Sequence, residues 1–293
     1  MDTATLLSDR ARAIDASGIR RVFELASTLL DPINLSIGQP DFPVPTALKK
    51  AAVDAINNDQ NGYTLTQGSP ALRERIAAHL KKDVGWGCAL KPGGDGPGVT
   101  VTSGTSGALH LAFLSLLSPG DEIVIQDPYF VSYPELATMC GAKAVLCDTY
   151  PDFRLTAERV EGMITERTKA VLYCSPSNPS GVALSESECR DLLDLCRSKG
   201  VLLIADEIYD EFAFSNARTQ PAVGDPKKLR CPSPARFAGS EEDVLLIRGF
   251  GKTYGCTGWR LGYAAGPAPV IGAMAKLQQY TFVCAPSPLQ ASA

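Results

Sequence analysis

The sequence lacks any apolar run long enough to cross a membrane, and this argues against a membrane-embedded protein. Its first twelve residues carry Asp2, Asp9, Arg10 and Arg12, so they lack the basic flank and unbroken apolar stretch of a signal peptide. Clusters of lysine and arginine are also missing, and the formal net charge is −4, which argues against a nucleic-acid-binding surface. We therefore expect a small-molecule ligand.

The nine cysteines include no C-x-x-C pair, and they lie within apolar runs. An odd number of cysteines without paired spacing is typical of free thiols in a reducing compartment, which predicts a cytoplasmic protein. No metal site is predicted.

The 293 residues are 45% apolar, with a mean hydropathy near zero, as expected for a soluble globular chain with a large core. Apolar segments of strand length alternate with helical patterns, which predicts a mostly parallel sheet covered by helices on both faces. Helices are predicted to begin at Ser69-Pro70 and at Ser185, where Glu188 completes a capping box. The predicted strands are Val99–Thr102, Glu122–Gln126, Ala144–Cys147, Ala170–Cys174, Val201–Ala205 and Val244–Ile247.

Two segments rich in proline or glycine, Lys91–Gly98 and Phe214–Ser240, are predicted to be surface loops. Before about Asp41, an amphipathic helix and the short apolar strand Ile33–Ile37 are predicted to form part of a separate small lobe. We therefore divide the chain into an N-terminal arm with part of a small lobe, residues 1–45, and a large domain, residues 46–293. The amphipathic helix predicted in the N-terminal arm is indicated by the apolar residues Ile19, Val22, Phe23 and Ala26.

Polar residues follow several of the predicted strands, at the edge where ligands bind in open parallel sheets. The segment Ser103–Gly107 could bind an anion through the N-terminus of the next helix, although an ordinary helix cap is the commoner explanation of such a segment alone. Asp206 ends a strongly apolar run and needs a partner there, unless it caps a turn. Asn178 lies between two prolines and by itself indicates a turn.

Lys252 follows the last predicted strand within a segment rich in glycine and aromatic residues. A partly desolvated lysine is suited to imine chemistry, because its neutral amine is the nucleophile. The alternative, a solvated surface lysine, fits this apolar flank poorly.

Together these segments resemble the class I/II pyridoxal-phosphate (PLP)-dependent aminotransferase family, which shares the aspartate-aminotransferase-like fold. The most specific match is Gly249–Gly262, which contains Lys252 and Arg260. It departs from the family at Cys256, usually aliphatic, and at Gly249, where many members have a hydroxyl residue. The resemblance runs from about Ile33 to the last residue and implies the three-layer α/β major domain of fold type I. Further matches are Ser36–Phe42, Gly62–Thr64, Asp127–Pro134, Asn178–Gly181 and Ala205–Tyr209.

The resemblance implies roles for residues around the cofactor ring. Lys252 would bind PLP covalently and later carry the proton between the substrate and the cofactor, and Asp206 would pair with the pyridinium nitrogen. Asn178 and Tyr209 would hydrogen-bond the phenolic oxygen of the ring. Phe130 would stack on the ring, with less area than the tryptophan of many relatives.

The resemblance also implies how the phosphate and the substrate are bound. The phosphate would be held by a turn, by Arg260, and by Tyr63 of a second subunit, with one hydrogen bond missing at Gly249. Gly38 would lie against the substrate through its backbone, and Asn178 would contact it too. His79 and His110 match no family site and fall in helical patterns, which indicates structural roles. The turn that would hold the phosphate consists of Gly104, Thr105 and Ser106.

The resemblance implies an enzyme that transfers the amino group of an L-amino acid to a 2-oxo acid by a ping-pong mechanism, as a homodimer with shared sites. A PLP-dependent lyase or synthase on the same scaffold is one alternative. A ligand-sensing part of a transcription regulator would need a DNA-binding domain, for which the first thirty or so residues leave no room. An inactive truncated fragment is the last alternative, since the family's C-terminal lobe and its carboxylate-binding arginine have no counterpart before Ala293.

Overall fold

The computed structural model describes residues 1, 3–14, 18, 22, 25–26, 28–31, 33, 38–91 and 94–293. All but the first residue of the predicted strand Ile33–Ile37, and much of the predicted N-terminal helix, lie outside these residues. No helix in the described ranges is both long and apolar enough to span a bilayer.

A seven-stranded sheet forms the centre of the fold. Its strands are β1 Gly98–Ser103, β2 Glu122–Asp127, β3 Lys143–Asp148, β4 Thr168–Cys174, β5 Leu202–Asp206, β8 Val244–Gly249 and β9 Leu261–Gly266. They lie side by side in the order β1-β9-β8-β5-β4-β2-β3. Neighbouring strands from β8 to β3 run parallel, whereas β9 is antiparallel to both β1 and β8. Each of the six strands predicted between Val99 and Ile247 is found, so the mostly parallel sheet is confirmed.

Helices connect the strands, and their starts follow the predicted caps. Ser69 caps a helix that has Pro70 in its first turn, and Ser185 with Glu188 forms the complete capping box. The α-helices are α1 Asp9–Ala13, α2 Thr46–Asn57, α3 Pro70–Asp83, α4 Gly104–Leu116, α5 Ser132–Met139, α6 Ala157–Glu161, α7 Glu186–Lys199, α8 Phe250–Thr253, α9 Ala268–Gln279 and α10 Ser287–Ser292. Short 3₁₀ segments span Thr3–Leu6, Asp210–Phe212, Ser215–Ala217, Pro234–Arg236, Ser240–Glu242 and Thr257–Trp259.

The sheet lies between two helical layers, because its strands are apolar on both faces. On one face, α3 and α7 contribute the buried side chains Leu80 and Leu192 to a core shared with alternate residues of β4, β5 and β8. On the other face, α4, α5 and α9 pack against the remaining strand residues. This is the predicted three-layer α/β sandwich.

The prediction that Phe214–Ser240 is a surface loop is wrong for much of this segment. It contains a hairpin of β6 Gln220–Ala222 and β7 Asp225–Arg230, followed by buried residues such as Cys231 and Ala235. Prolines within it suggested irregular structure, but a two-stranded sheet consists of edge strands, which tolerate proline.

Candidate active site

A cavity of about 370 Å³ opens where β4, β5 and β8 end and α4 begins, and its volume is in the range of small-ligand sites. Of the predicted site residues, Tyr63 alone is absent from its lining. Tyr63 is 87% exposed, so a contact with a second subunit stays a prediction. The lining comprises Gly38, Gly104, Thr105, Ser106, Leu109, Phe130, Tyr133, Cys174, Asn178, Asp206, Ile208, Tyr209, Gly251, Lys252, Thr257, Arg260 and Leu261.

Lys252 lies on the short helix α8, directly after β8. Its amine donates a hydrogen bond to the carbonyl oxygen of Gly38, and Nζ is 5.6 Å from the ring centroid of Tyr209. Burial lowers the pKa of Lys252, and the positive charge of Arg260 lowers it further. Both effects favour the neutral amine, which is the form that attacks a carbonyl group.

Asp206 ends β5 with its side chain buried at the base of the cavity. Burial raises the pKa of Asp206 to about 6, although hydrogen bonds from the hydroxyl of Tyr133 (2.8 Å) and the N–H of Ile208 (3.3 Å) lower it. No lysine, arginine or histidine of the described residues forms an ion pair with it. A cationic group bound in the cavity would therefore stabilise this carboxylate.

Two positive groups meet in the lining of the cavity, namely the N-terminus of α4 and the guanidinium of Arg260. Nη2 of Arg260 is 3.4 Å from Oγ of Ser106, and a Cβ on Gly104 would lie 2.4 Å from the same Nη2. Gly104 also has a φ of +70°, so glycine suits this turn on both counts. Like charges in contact favour an anion between them, and a phosphate fits this chemistry.

Two further glycines near this anion site, Gly262 and Gly249, are required by close packing. A Cβ on Gly262 would lie 2.7 Å from the carbonyl carbon of Gly104, so a side chain there would push β9 away from α4. A Cβ on Gly249 would lie 2.9 Å from Cγ2 of Thr105 and 3.0 Å from Cδ1 of Ile208. The side chains of Thr105 and Ile208 thus occupy the space that the hydroxyl residue of many relatives would need.

Asn178 and Tyr209 lie together on the cavity wall, with Nδ2 of Asn178 3.5 Å from the hydroxyl of Tyr209. Burial raises the pKa of Tyr209 to about 12, so its hydroxyl keeps its proton at neutral pH and can donate a hydrogen bond. Phe130 also lines the cavity, and its ring meets Tyr133 edge-on at 5.5 Å.

The arrangement fits PLP by its chemistry. An anion site, a buried carboxyl group without a cation, a hydrogen-bonding pair and an amine of lowered pKa line one cavity, and these match the phosphate, ring nitrogen, phenolic oxygen and aldehyde of PLP. Within the described ranges, no group of three or more His, Cys, Asp or Glu side chains is placed to hold a metal ion.

Seven lining residues were given no role from the sequence, and two of them, Tyr133 and Cys174, are polar neighbours of the predicted site. Tyr133 stands within the Asp127–Pro134 motif, and its hydrogen bond joins residues 73 positions apart, which no local pattern indicates. Cys174 ends β4 on the same sheet face as Asp206, and strand alternation from the buried Leu172 could have indicated this.

Known proteins resemble this chain in both sequence and structure. A family model described as aminotransferase class I and II matches residues 31–293. The aspartate aminotransferase of Rhizobium meliloti is 38% identical over 264 residues, which cover 89% of this chain and 60% of that protein. The crystal structure of the aspartate aminotransferase from Rhizobium meliloti has a TM-score of 0.86 at 35% identity, covering 98% of this chain and 69% of that one. The aspartate aminotransferase from Thermus thermophilus with maleate also gives 0.86, at 32% identity, covering 98% and 71%.

This chain spans between 60% and 71% of the length of these proteins. The family model covers most of the chain, and the matched folds agree with the sheet and the helical layers described above. The chain therefore belongs to the aminotransferase class I and II family, whose members are PLP-dependent enzymes.

Proposed function

We propose that this chain binds PLP in its cavity and transfers the amino group of an L-amino acid to a 2-oxo acid, in two half-reactions that use the same site. The observation that carries the proposal is the meeting, in one cavity, of a lysine with lowered pKa, a buried carboxyl group without a cation and a positively charged anion site. When bound, PLP supplies an electron sink for negative charge developing on the substrate α-carbon.

Lys252 would hold the cofactor through Nζ and then move a proton. Its burial lowers the pKa of the amine and so favours the neutral form, in which Nζ can accept the proton that leaves the substrate α-carbon and return it to complete the transfer. The carbonyl oxygen of Gly38, which accepts a hydrogen bond from Nζ, would orient the amine and lie against the substrate.

Asp206 would stay ionised beside the positively charged ring nitrogen, aided by the hydrogen bond from Tyr133. Tyr209 and Asn178 would donate hydrogen bonds to the phenolic oxygen, Asn178 would also face the substrate, and Phe130 would cover one face of the ring. The phosphate would be bound by Arg260 and by the first turn of α4, formed by Gly104, Thr105 and Ser106.

The site would be completed by a second copy of the chain. Tyr63 is exposed and outside its own cavity, which supports the proposal that it reaches the phosphate of a partner subunit. Mixing Tyr63→Phe chains with Lys252→Ala chains tests this, because a mixed dimer would contain one site free of both defects. An active monomer in sedimentation would contradict the shared site.

We further propose that residues 1–45 form an arm and part of a small lobe, and that residues 46–293 form the PLP-binding domain. Extensive exposure of the described residues before Thr46 supports this division. A cytoplasmic location is supported by the nine free cysteines.

Two experiments test the function. Borohydride reduction of the PLP-treated chain, followed by peptide mapping, is expected to place the label on Lys252, and a label on Lys199 or Lys276 would contradict its role. An amino acid alone is expected to change the absorbance of bound PLP once per site, and a 2-oxo acid to reverse the change. Continuous turnover without an oxo acid would instead indicate a lyase.

A further inference from the structure

Polar residues lie on the far side of the sheet, directly behind the residues that line the cavity. Cys174 and Asp206 face the cavity, whereas their chain neighbours Tyr173 and Glu207 point to the opposite face, which α3 and α7 cover. Arg248, at the end of β8, contacts Glu207 on that same face. None of these three polar residues behind the cavity has a role in the chemistry proposed above.

Hydrogen bonds join these residues into a continuous series. The hydroxyl of Tyr173 donates to Oε1 of Glu207 at 2.7 Å, and Oε2 of Glu207 accepts from Nε (3.0 Å) and Nη2 (2.7 Å) of Arg248. Nη1 of Arg248 donates to Oδ2 of Asp83, the last residue of α3, at 2.6 Å. We call this series, Tyr173–Glu207–Arg248–Asp83, the strand-end ion chain. It links the ends of three adjacent strands, β4, β5 and β8.

The charges of the strand-end ion chain are deeply buried, with Asp83 3%, Glu207 1% and Arg248 4% exposed. Burial alone would lower the pKa of Arg248, but the carboxylates of Asp210, Glu207 and Asp83 raise it well above its ordinary value. Removing such groups from water costs about as much as their attraction returns, so apolar residues of similar volume would stabilise the fold as well. Stability alone therefore does not account for charges at this position.

We propose that Glu207 and Arg248 are positioning residues, whose ion pair fixes the end of β5 against the end of β8 and thereby sets the place of Lys252 relative to Asp206. Glu207 directly follows Asp206, and Arg248 precedes Lys252 by four residues. Gly249, which follows Arg248 on the way to Lys252, has an extended backbone and no side chain that could anchor the turn. The inference rests on the proposed role of Lys252.

A buried arginine beside the strand-end ion chain provides a matched control. Arg230, on β7, is buried to a similar degree and donates to Oδ1 of Asp83 (3.3 Å) and to Oε1 of Glu211 (2.5 Å). It therefore ties the hairpin to Asp83, and within the described residues it forms no hydrogen bond or ion pair with Glu207 or Arg248. Arg230→Lys perturbs the same buried cluster without touching the pair that joins β5 to β8.

The test is the pH dependence of trace acetylation of Lys252 by acetic anhydride in the cofactor-free chain, followed by peptide mass spectrometry. The variants are Glu207→Gln, Arg248→Lys and the control Arg230→Lys, each checked for folding by circular dichroism. Arg248→Lys keeps the positive charge, and loss of the Glu207 charge would by itself lower the pKa of a lysine. A rise in either variant therefore reports loss of position and entry of water rather than altered charge.

We expect the labelling midpoint of Lys252 to rise by about half a pH unit or more in Glu207→Gln and Arg248→Lys, and to stay in place in Arg230→Lys. An unchanged midpoint in a folded Glu207→Gln or Arg248→Lys chain would overturn the proposal, as would an equal rise in Arg230→Lys. If Arg248→Lys does not fold, Glu207→Gln decides. Because the measurement needs no PLP, its failure differs from failure of the proposed function, which would appear as PLP bound at another lysine.

Discussion

The hydroxyl of Tyr133 donates a 2.8 Å hydrogen bond to Oδ2 of Asp206, and this bond joins helix α5 to the end of β5 across the base of the cavity. Both residues are buried, so neither the bond nor the carboxylate is screened by water. Because burial raises the pKa of Asp206 and this bond lowers it, Tyr133 favours the charged carboxylate. The charge that would face the cofactor ring thus depends partly on a residue of a neighbouring helix.

Replacing Tyr133 by phenylalanine is expected to raise the pKa of Asp206 further and to weaken PLP binding. A hydrogen bond to a charged group contributes about 1.5–3 kcal/mol, so we expect the dissociation constant to increase roughly tenfold or more. Titration of the cofactor-free chain with PLP, followed by absorbance, measures this. Tyr129→Phe is the control, because its hydroxyl is not bonded to Asp206 in the described structure. Equal affinities of the two variants would contradict the role of Tyr133.

Replacing Asp206 by asparagine is expected to stabilise the cofactor-free chain at neutral pH. The folded-state pKa is raised from 3.8 to about 6, so the stability that the protonated carboxyl provides is present at low pH and is lost as the pH rises through about 6. The variant should avoid this loss, which is at most about 3 kcal/mol at neutral pH. Urea unfolding at several pH values between about 4 and 7 checks the difference.

With saturating PLP, the parent chain is expected to be more stable than Asp206→Asn. The charged Asp206 then gains a cationic partner, whereas the neutral asparagine does not. A variant with the same pH dependence of unfolding as the parent chain would show that Asp206 titrates at its ordinary pKa.

Replacing Gly104 by alanine is expected to reduce PLP affinity sharply. The new Cβ would lie 2.4 Å from Nη2 of Arg260, and the φ of +70° costs a non-glycine residue roughly 1–2 kcal/mol. Gly107→Ala, one turn further along α4, is the control, since its Cβ would make ordinary contacts of 3.4 Å or more. PLP titration should show a loss of about tenfold or more for the first variant and little change for the second. Similar losses in both would mean that the Gly104 turn does not hold the phosphate.

Many relatives have a hydroxyl residue at the position of Gly249. Replacing Gly249 by serine is nevertheless expected to weaken PLP binding rather than to strengthen it. A serine Cβ there would lie 2.9 Å from Cγ2 of Thr105, so one of the two segments must move. The double variant Gly249→Ser with Thr105→Ser removes Cγ2, the nearer of the two contacts, and keeps both hydroxyls, so it should recover part of the affinity although Cδ1 of Ile208 remains. Gly258→Ser, in open space, controls for the added side chain. Tighter binding by the single variant would refute this packing argument.

Much of the fold and the candidate site could be predicted because their signals are local. A buried parallel strand is a continuous apolar run, and Lys252 stands out because its neighbours are glycines and aromatic residues. The partners of buried charges could not be predicted in this way. Asp83 and Arg248 are 165 positions apart, and their contact depends on how α3 packs beneath β8. Strand β9 was missed because Gly262 and Gly266 interrupt its apolar run, and because its antiparallel direction breaks the alternation of strand and helix.

The place of β9 between β1 and β8 also has a consequence for synthesis of the chain. Strand β1 is made early, yet its neighbour in the seven-stranded sheet is β9, whose residues lie more than 150 positions later in the sequence. Until the ribosome has released Leu261–Gly266, Gly98–Ser103 has no strand in this sheet to pair with, and Arg260 cannot reach the start of α4. The part of the cavity that would bind phosphate therefore assembles late in synthesis. Until then the apolar strand β1 lacks its partner in this sheet, and exposure of an unpaired apolar strand favours aggregation.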